Sequence, residues 1–327
     1  MADSAVTRLT TAMTDALRWT ADDLPDLTGR TAVVTGANSG LGLATALELA
    51  RHGADVTLAV RDHAKGTWAQ GLIADQTGTA VSLGRLDLAD LASVREFSDS
   101  WSASHTGGLD LLINNAGVMA TPHRKTTDGF ELQFGTNHLG HFALTGLLLP
   151  ALVARPRSRV VSVSSMAHRM SGRLDLDYLM DGHRHKPWTS YSQSKLANLL
   201  FTAELQRRLD AAGVPMLALA AHPGYANTNL QSVAPAMSGK SMQAKFMSTG
   251  NKYFAQSAER GALPTLFAAT APGLPGDTYV GPDGLLEMRG FPRIVGRSAA
   301  ARNAADAARL WDLSEQLTGV TYPFDIA

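Results

Sequence analysis

Short apolar runs alternate with longer segments of helical pattern along most of the chain. Six such runs each precede a helical segment, at residues 31–35, 55–60, 81–86, 109–113, 159–164 and 216–221. Because the runs lack polar alternation, they are typical of strands that are buried on both faces of a sheet. Helical crossovers between such strands are right-handed, which makes the sheet parallel and places helices on both faces. The pattern therefore predicts an α/β fold with one doubly wound parallel sheet.

A doubly wound sheet of this type is a Rossmann-type fold, and we assign residues 28–327 to a single domain of it. Residues 1–27 form an N-terminal helical extension, because apolar side chains within residues 4–19 fall at helical spacing. A frayed terminus is the alternative for that extension. Toward the other end, the pattern predicts a short strand near residues 278–280 inside a loop, and a last helix at residues 298–317.

Two segments interrupt the alternation of strands and helices, at residues 166–189 and 225–258. Both follow strand ends, and ligands of doubly wound sheets bind beyond the carboxyl ends of the strands. Methionine and aromatic side chains occur in both segments, and such side chains form adaptable apolar walls. We therefore expect the two segments to line a substrate pocket for an apolar small molecule, with ordinary packing as the alternative.

The composition excludes several classes of partner. Lys plus Arg and Asp plus Glu number 29 each, so no net charge attracts nucleic acid or an anionic membrane. The chain has no cysteine, which excludes disulfide bonds and thiolate metal ligands, and no other metal spacing is present. No stretch reaches the roughly 18 to 20 apolar residues of a spanning helix, and no signal peptide pattern is present. We expect a cytoplasmic protein without a membrane anchor.

A glycine-rich turn joins the first strand to the first helix. Backbone N–H groups at a helix N-terminus bind phosphate, and glycine lets the phosphate approach closely. Tight turns also use glycine for conformational reasons alone, which is the alternative. We predict that a dinucleotide pyrophosphate binds to this turn, which consists of Thr35, Gly36, Asn38, Ser39, Gly40, Leu41 and Gly42 with the intervening Ala37.

The end of the second strand indicates which dinucleotide binds. Arg61 lies where an acidic residue would bind the ribose hydroxyls of NAD and where an arginine would bind the 2′-phosphate of NADP. We therefore predict NADP(H), with NAD(H) disfavoured, although the adjacent Asp62 could still accept from a ribose hydroxyl. Asp87 and Leu88 follow the third strand, and we predict that they lie beside the adenine. For Asp87, capping of the following helix is the alternative.

Residues 114–117, with the sequence Asn-Asn-Ala-Gly, follow the fourth strand. Short polar side chains can hold a strand end open, and small ones leave room for a cofactor. A simple turn is the alternative. We predict that Asn115, Ala116 and Gly117 line the cofactor.

Tyr191 and Lys195 stand four residues apart within residues 190–208, which have a helical pattern, so their side chains share one helix face. A phenol with a pKa of about 10 is a poor acid or base near neutrality, but a nearby cation stabilises the phenolate. The fifth strand ends in Ser164 and Ser165, either of which could orient a substrate oxygen. The pair alone is more often a solvated surface pair, and its weight comes from this context.

Together these motifs resemble the short-chain dehydrogenase/reductase family. The resemblance covers residues 28–230 and implies that Tyr191 is the general acid/base, that Lys195 lowers its pKa and holds the ribose, and that Ser165 positions the substrate oxygen. It also implies that Asn137 binds a relay water, and that the nicotinamide-side loop contains Pro223, Gly224 and Thr228.

Finer features resemble the retinol dehydrogenase-like and WW-domain oxidoreductase-like branch of that family. They include the Arg-Asp pair after the second strand, the stretch at residues 137–142, and the Leu-Trp-Asp-Leu-Ser run in the last helix. The resemblance implies hydride transfer between NADP(H) and a carbonyl or alcohol group, and leaves homo-oligomer formation open. Epimerase or dehydratase chemistry with NAD and a non-catalytic NADP(H) sensor are the two alternatives.

Overall fold

A computed structural model describes residues 18–180, 185–225 and 256–324 of the chain. The predicted N-terminal helix lies almost entirely outside these residues. The same holds for most of the second pocket segment, residues 225–258, and for Thr228.

The described residues form one sheet of eight strands in the order β3-β2-β1-β4-β5-β6-β7-β8. The first seven strands run parallel, and the predicted doubly wound α/β fold is confirmed. All six predicted central strands are present, with bounds that differ by at most two residues from the prediction. The strands are β1 Thr31–Thr35, β2 Asp55–Val60, β3 Ser82–Arg85, β4 Leu111–Asn114, β5 Arg159–Val163, β6 Leu217–Ala221, β7 Tyr279–Pro282 and β8 Pro292–Ile294.

The last strand corrects the sequence-based prediction, which placed only one short strand in this region. β7 matches that strand, and β8 pairs with it in antiparallel register, Gly281 opposite Arg293. β8 has only three residues and begins at Pro292, a position that proline tolerates at a strand start. Such a short strand has no pattern of its own, and it exists because the hairpin brings it beside β7.

Helices cover both faces of the sheet, and apolar side chains from strands and helices form the core between them. No helix in the described ranges has the length and apolar character that crossing a membrane requires. The helices are α1 Gly40–Arg51, α2 His63–Thr77, α3 Leu91–Ser104, α4 Leu132–Phe134, α5 Gly140–Leu147, α6 Leu149–Val153, α7 Leu176–Met180, α8 Pro187–Ala212, α9 Ala258–Thr270 and α10 Ala304–Thr318.

The last helix begins later than predicted. A short 3-10 turn, Ala300–Arg302, precedes α10, and Asn303 caps α10 by accepting from the N–H groups of Ala305 and Asp306. The helical pattern of the sequence does not mark this break, because the cap depends on a single side chain. The expected packing of this helix is confirmed, since Trp311 is buried in the core.

Asp110 precedes β4 and is buried. It lies at the amino-terminal end of the strand, opposite the carboxyl ends of the strands that carry the predicted motifs. Its carboxylate accepts from Arg30 at 2.6 Å, from Arg155 at 3.0 Å and from the N–H of Thr31 at 3.0 Å. Burial opposes ionisation, but the hydrogen bonds from Thr31 and Arg30 and the charge of Arg155 outweigh it. They hold the pKa of Asp110 below its ordinary value.

We expect Asp110→Asn to lower the free energy of unfolding by about 2 kcal/mol near pH 7, because charged hydrogen bonds are lost. The folded-state pKa lies below the unfolded value of about 3.9, so the stabilisation is present above that pH and is lost as the pH falls. Urea unfolding of both proteins at neutral and acidic pH measures this. A difference that stays constant into acid would contradict the assignment.

Candidate active site

The hydroxyl of Thr35, the last residue of β1, joins the ends of two strands. Its oxygen accepts the N–H groups of Asn115 and Ala116, which follow β4, at 2.9 Å each. It also lies 2.9 Å from Nε2 of the buried His141. The side chain of Asn115 donates to the carbonyl of Thr35 at 2.7 Å. The first glycine turn and the Asn-Asn-Ala-Gly loop, predicted separately to line a cofactor, are therefore one unit.

Gly42 shows how closely this unit is packed. A Cβ added there would lie 2.5 Å from Nδ2 of Asn115 and 2.5 Å from the carbonyl oxygen of Gly36. Only a residue without a side chain fits this crossing of helix and loop. All seven residues of the predicted pyrophosphate site lie in this turn and at the start of α1: Thr35, Gly36, Asn38, Ser39, Gly40, Leu41 and Gly42.

The N-terminus of α1 fits an anionic group. Its N-cap residue, Ser39, makes no side-chain cap hydrogen bond, whereas Asp62 and Asp90 cap α2 and α3 through their carboxylates. The first N–H groups of α1 therefore lack a side-chain acceptor of this kind, and the helix dipole favours negative charge at this point. These residues fit the pyrophosphate of a dinucleotide.

The residues after β2 and β3 lie together. Arg61 is 72% exposed, and its Nε is 3.9 Å from a carboxylate oxygen of Asp87. Asp87 accepts from the N–H of Ala89 at 3.0 Å, while α3 is capped by Asp90. The alternative in which Asp87 caps that helix is therefore wrong. Leu88 is buried beside these residues.

Asn137 lies in a π-helical turn, Gly135–Leu139, between α4 and α5. The helical stretch begins at Leu132 with α4, and the widened turn separates α4 from α5. The Asn137 side chain accepts from Val118 N at 2.8 Å and donates to Val118 O and to Ser194 Oγ, each at 2.9 Å. It therefore links the loop after β4 to α8. Its binding of a relay water stays a prediction.

Helix α8, which begins at Pro187 rather than at residue 190, places Tyr191 and Lys195 on one face, as predicted. Both side chains are buried, and Nζ of Lys195 is 5.8 Å from the centre of the Tyr191 ring. The hydroxyl of Ser165 lies beside the phenol of Tyr191 and lowers its pKa, whereas Ser164 donates to the carbonyl of Lys195 at 2.8 Å. Of the two serines, Ser165 is the one that meets the tyrosine.

The electrostatics differ from the expectation that Lys195 lowers the pKa of Tyr191. Burial raises the pKa of Tyr191 to about 12, against the opposing effect of its hydrogen bond with Ser165. Burial also lowers the pKa of Lys195 to about 8. Nζ donates to the carbonyl of Val163 at 2.9 Å, and no carboxylate in the described ranges forms an ion pair with it. Burial thus keeps the phenol of Tyr191 protonated, and it makes the charged form of Lys195 energetically unfavourable.

Gly117 lies next to both groups, because a Cβ there would be 3.0 Å from Oδ1 of Asn137 and 3.5 Å from Nζ of Lys195. The predicted cofactor-lining loop thus meets the predicted acid/base pair. A buried ammonium whose hydrogen-bond acceptor within the described part of the chain is one carbonyl fits the hydroxyl oxygens of a ribose, which can accept from it. The donors present therefore suit a nicotinamide dinucleotide.

Residues 222–224, which follow β6, contact a residue that the sequence did not indicate. His222 is fully buried, and its Nε2 is 3.1 Å from a carboxylate oxygen of Glu287. Glu287 also binds Arg169, which follows Ser165 in a 3-10 helix, Met166–Met170. No local pattern marks Glu287, because its partners lie 65 and 118 positions away in the chain.

A family model for short chain dehydrogenases matches residues 30–238 of the chain. The human protein Retinol dehydrogenase 13 is 42% identical over 284 residues, which cover 86% of this chain and 84% of that protein. The chain belongs to the short-chain dehydrogenase/reductase family. Within this family it is retinol dehydrogenase-like, so the resemblance found in the sequence is confirmed.

Solved structures agree with this membership. A crystal structure of an uncharacterised protein from Mycobacterium paratuberculosis has a TM-score of 0.76 and 52% identity. The match covers 93% of this chain and 99% of that chain. A structure described as an NAD(P)-dependent gluconate 5-dehydrogenase from Beutenbergia cavernae, with NADP bound at low occupancy, has a TM-score of 0.57 and 26% identity. That match covers 75% of this chain and 91% of that chain.

We expect Gly42→Ala to lower the free energy of unfolding by about 1 to 3 kcal/mol, because the new methyl group overpacks the turn. The variant should also lose affinity for the nicotinamide dinucleotide. Gly71→Ala is the matched control, because Gly71 is exposed in α2 and has no atom within 4 Å of an added Cβ. Helix propensity should make that change stabilising by about 0.5 to 1 kcal/mol. Thermal unfolding and cofactor titration measure both, and equal behaviour of the two variants would contradict the proposed packing.

Proposed function

We propose that this short-chain dehydrogenase is an NADP(H)-dependent oxidoreductase that interconverts a carbonyl group and an alcohol on an apolar small molecule. The observation that carries the proposal is the buried phenol of Tyr191, which lies beside the hydroxyl of Ser165 and beside the buried ammonium of Lys195. A positioned phenol can transfer a proton to or from an oxygen, and a neighbouring hydroxyl can orient that oxygen.

In the direction of reduction, the carbonyl oxygen of the substrate lies between the hydroxyls of Ser165 and Tyr191. A nicotinamide, when bound, supplies or accepts the hydride at its C4 atom. Tyr191 gives its phenolic proton to the substrate oxygen as negative charge develops there, and the O–H bond of the phenol breaks. Lys195 stabilises the phenolate that remains. With its pKa raised to about 12, Tyr191 is protonated near neutrality and has a proton to give, and the charge of Lys195 is what makes the resulting phenolate accessible.

Three observations support NADP(H) over NAD(H). Arg61 follows β2 directly and is largely exposed, so its guanidinium can reach a 2′-phosphate. The residue after it, Asp62, is engaged as the N-cap of α2, where it accepts from the N–H of Lys65 at 3.2 Å. The relative from Beutenbergia cavernae was solved with NADP.

An apolar substrate is supported by exposed apolar side chains of residues 166–189, one of which contacts Tyr191. Trp188 is 50% exposed and meets the Tyr191 ring edge to face, with the ring centres 6.1 Å apart. Met170 and Met180, in the same pocket segment, are also exposed. The relatives called retinol dehydrogenases are named for an apolar alcohol, so retinoids belong among the first substrates to test.

Consumption of NADPH with a panel of aldehydes, cyclic ketones, steroids and retinoids tests the proposal. Turnover of at least one apolar carbonyl compound is the expected result. Inactivity across the panel despite NADPH binding would favour a non-catalytic sensor, and tightly held NAD after purification would favour epimerase chemistry.

Four further features stay predictions of the sequence. They are cytoplasmic location, assembly into a homo-oligomer, the division into an extension and one domain, and contact of Thr228 with the cofactor.

We expect Tyr191→Phe to lower kcat by about 100- to 10,000-fold, because the proton donor is lost while the ring remains. The affinity for NADPH should stay nearly unchanged. Tyr322→Phe removes a hydroxyl that donates to the carbonyl of Phe142 in the buried core, and it serves as the matched control. Steady-state kinetics and NADPH titration measure both variants. Turnover by Tyr191→Phe close to that of the control would refute the assignment of the acid.

We expect Arg61→Ala to raise the KM for NADPH by about 10- to 100-fold, because a charged hydrogen bond to the 2′-phosphate is lost. The KM for NADH should change little, since NADH lacks that phosphate. Arg51→Ala, at the C-terminal end of α1, is the control for removal of a partly exposed arginine. Equal efficiency of the wild type with NADH and NADPH, or no effect of Arg61→Ala, would overturn the preference for NADP(H).

A further inference from the structure

The carboxylate of Glu287 joins two segments that come from different strands. Nη2 of Arg169 donates to both of its oxygens, at 2.8 and 3.0 Å. Nε2 of His222 lies 3.1 Å from one of them. Arg169 also donates to the carbonyl of Gly296 at 3.0 Å. The carboxylate is thus bound from the side of β5 by the arginine and from the side of β6 by the histidine.

The hydrogen bonds fix the protonation of His222. Its Nδ1 accepts the N–H of Gly224 at 3.2 Å, so Nδ1 carries no proton. In the neutral ring the proton is therefore on Nε2, which donates to Glu287. Burial lowers the pKa of His222 and keeps the ring neutral, whereas the hydrogen bond from His222 and then that from Arg169 hold the pKa of Glu287 at about 2. One ionised carboxylate thus orients the imidazole that in turn holds Gly224.

The turn that carries Glu287 also holds Gly224 directly. Gly224 has φ +65°, and a Cβ there would lie 2.4 Å from the carbonyl oxygen of Met288. The N–H of Tyr225 donates to that same carbonyl at 2.6 Å. Leu286 and Glu287 both have left-handed backbones, with φ 54° and 56°, which is unfavourable for residues with side chains. Such a conformation persists where surrounding contacts impose it, often at functional sites.

On the other side, Arg169 belongs to the 3-10 helix that Ser165 begins. Ser165 is the N-cap of this helix and accepts the N–H of Ala167 at 3.1 Å. A shift of Arg169 therefore also shifts Ser165, because only one short turn separates the two residues. Glu287 consequently lies between the residue that orients the substrate oxygen and the loop, Pro223 and Gly224, that is predicted to face the nicotinamide.

We propose that Glu287 is a positioning residue that sets the distance between the hydride carrier and the substrate carbon by tying the Ser165 segment to the Pro223–Gly224 loop. The inference rests on the proposed function. Hydride transfer is sensitive to this distance, and a misplacement of about 1 Å can cost about 100-fold in rate. Glu287 touches neither reacting group, so its effect should appear in the transfer step and not in the affinity for either ligand.

Glu287→Gln tests the proposal with the smallest change of shape. An amide presents N–H donors on one side, where the carboxylate now accepts from Arg169 and His222, so one donor faces another donor. We expect kcat to fall by about 10-fold or more, with the KM of the carbonyl substrate within about threefold of the wild type. The kinetic isotope effect with NADPH deuterated at C4 should increase, because hydride transfer becomes more rate-limiting.

Asp110→Asn is the matched control, because Asp110 is likewise a carboxylate bound by two arginines. It lies at the amino-terminal end of β4, away from the candidate site. This variant should lose stability and keep the kcat and the isotope effect of the wild type. Glu287→Asp retains the charge and should recover part of the lost rate. A Glu287→Gln enzyme with the kcat and isotope effect of the wild type would overturn the inference, as would a lower melting temperature with no kinetic change.

The fluorescence of bound NADPH separates this inference from the proposed function. The emission reports on the surroundings of the nicotinamide and needs no substrate. We expect Glu287→Gln to shift the emission of bound NADPH relative to both the wild type and Asp110→Asn. If the wild type reduces nothing but the shift occurs, the proposed function fails, while the link from Glu287 to the nicotinamide-side loop stands. If the wild type is active and neither emission nor rate changes, only the positioning role fails.

Discussion

The hydroxyl of Thr35 is the contact on which the site depends. It receives two N–H groups, from Asn115 and Ala116 after β4, and bonds the ring of His141. His141 in turn contacts the carbonyl of Asn137, so three elements that are far apart in the sequence meet at one buried oxygen. A buried polar group that loses a partner is costly, because no water replaces it. The dinucleotide turn, the loop after β4 and the π-helical turn are therefore held as a single arrangement.

The acid/base pair has the opposite character, since burial disfavours charge on both of its members. Tyr191 is pushed toward its neutral form, and the ammonium of Lys195 is destabilised by the same apolar surroundings. A group that accepts hydrogen bonds from Lys195 would offset part of that cost. The ammonium of Lys195 can therefore serve both to bind a ligand with several hydroxyl groups and to stabilise the phenolate of Tyr191 as it forms.

The sequence predicts the parts of this molecule that local pattern controls. The central strands are found within two residues of their bounds because each is a buried apolar run, and the turn after β1 is found because glycine is required there. Contacts between distant positions leave no such pattern. Hence β8 and Glu287 are missed, and the start of the last helix is placed too early because the cap at Asn303 is not recognised. For the same reason Asp87 is given a capping alternative, although Asp90 is the residue that caps the helix. The choice of Ser165 over Ser164 comes from the family resemblance, and the position of Ser165 beside Tyr191 agrees with it.

The π-helical turn at Gly135–Leu139 has a consequence for how the chain tolerates insertions and deletions. A π-turn contains one residue more than an α-turn, and each residue of a helix rotates its neighbours by about 100° around the axis. Deletion of one residue here would restore regular helix, but it would turn Asn137 away from Val118 or turn Phe142 out of the core. The number of residues in this stretch is therefore constrained from both ends.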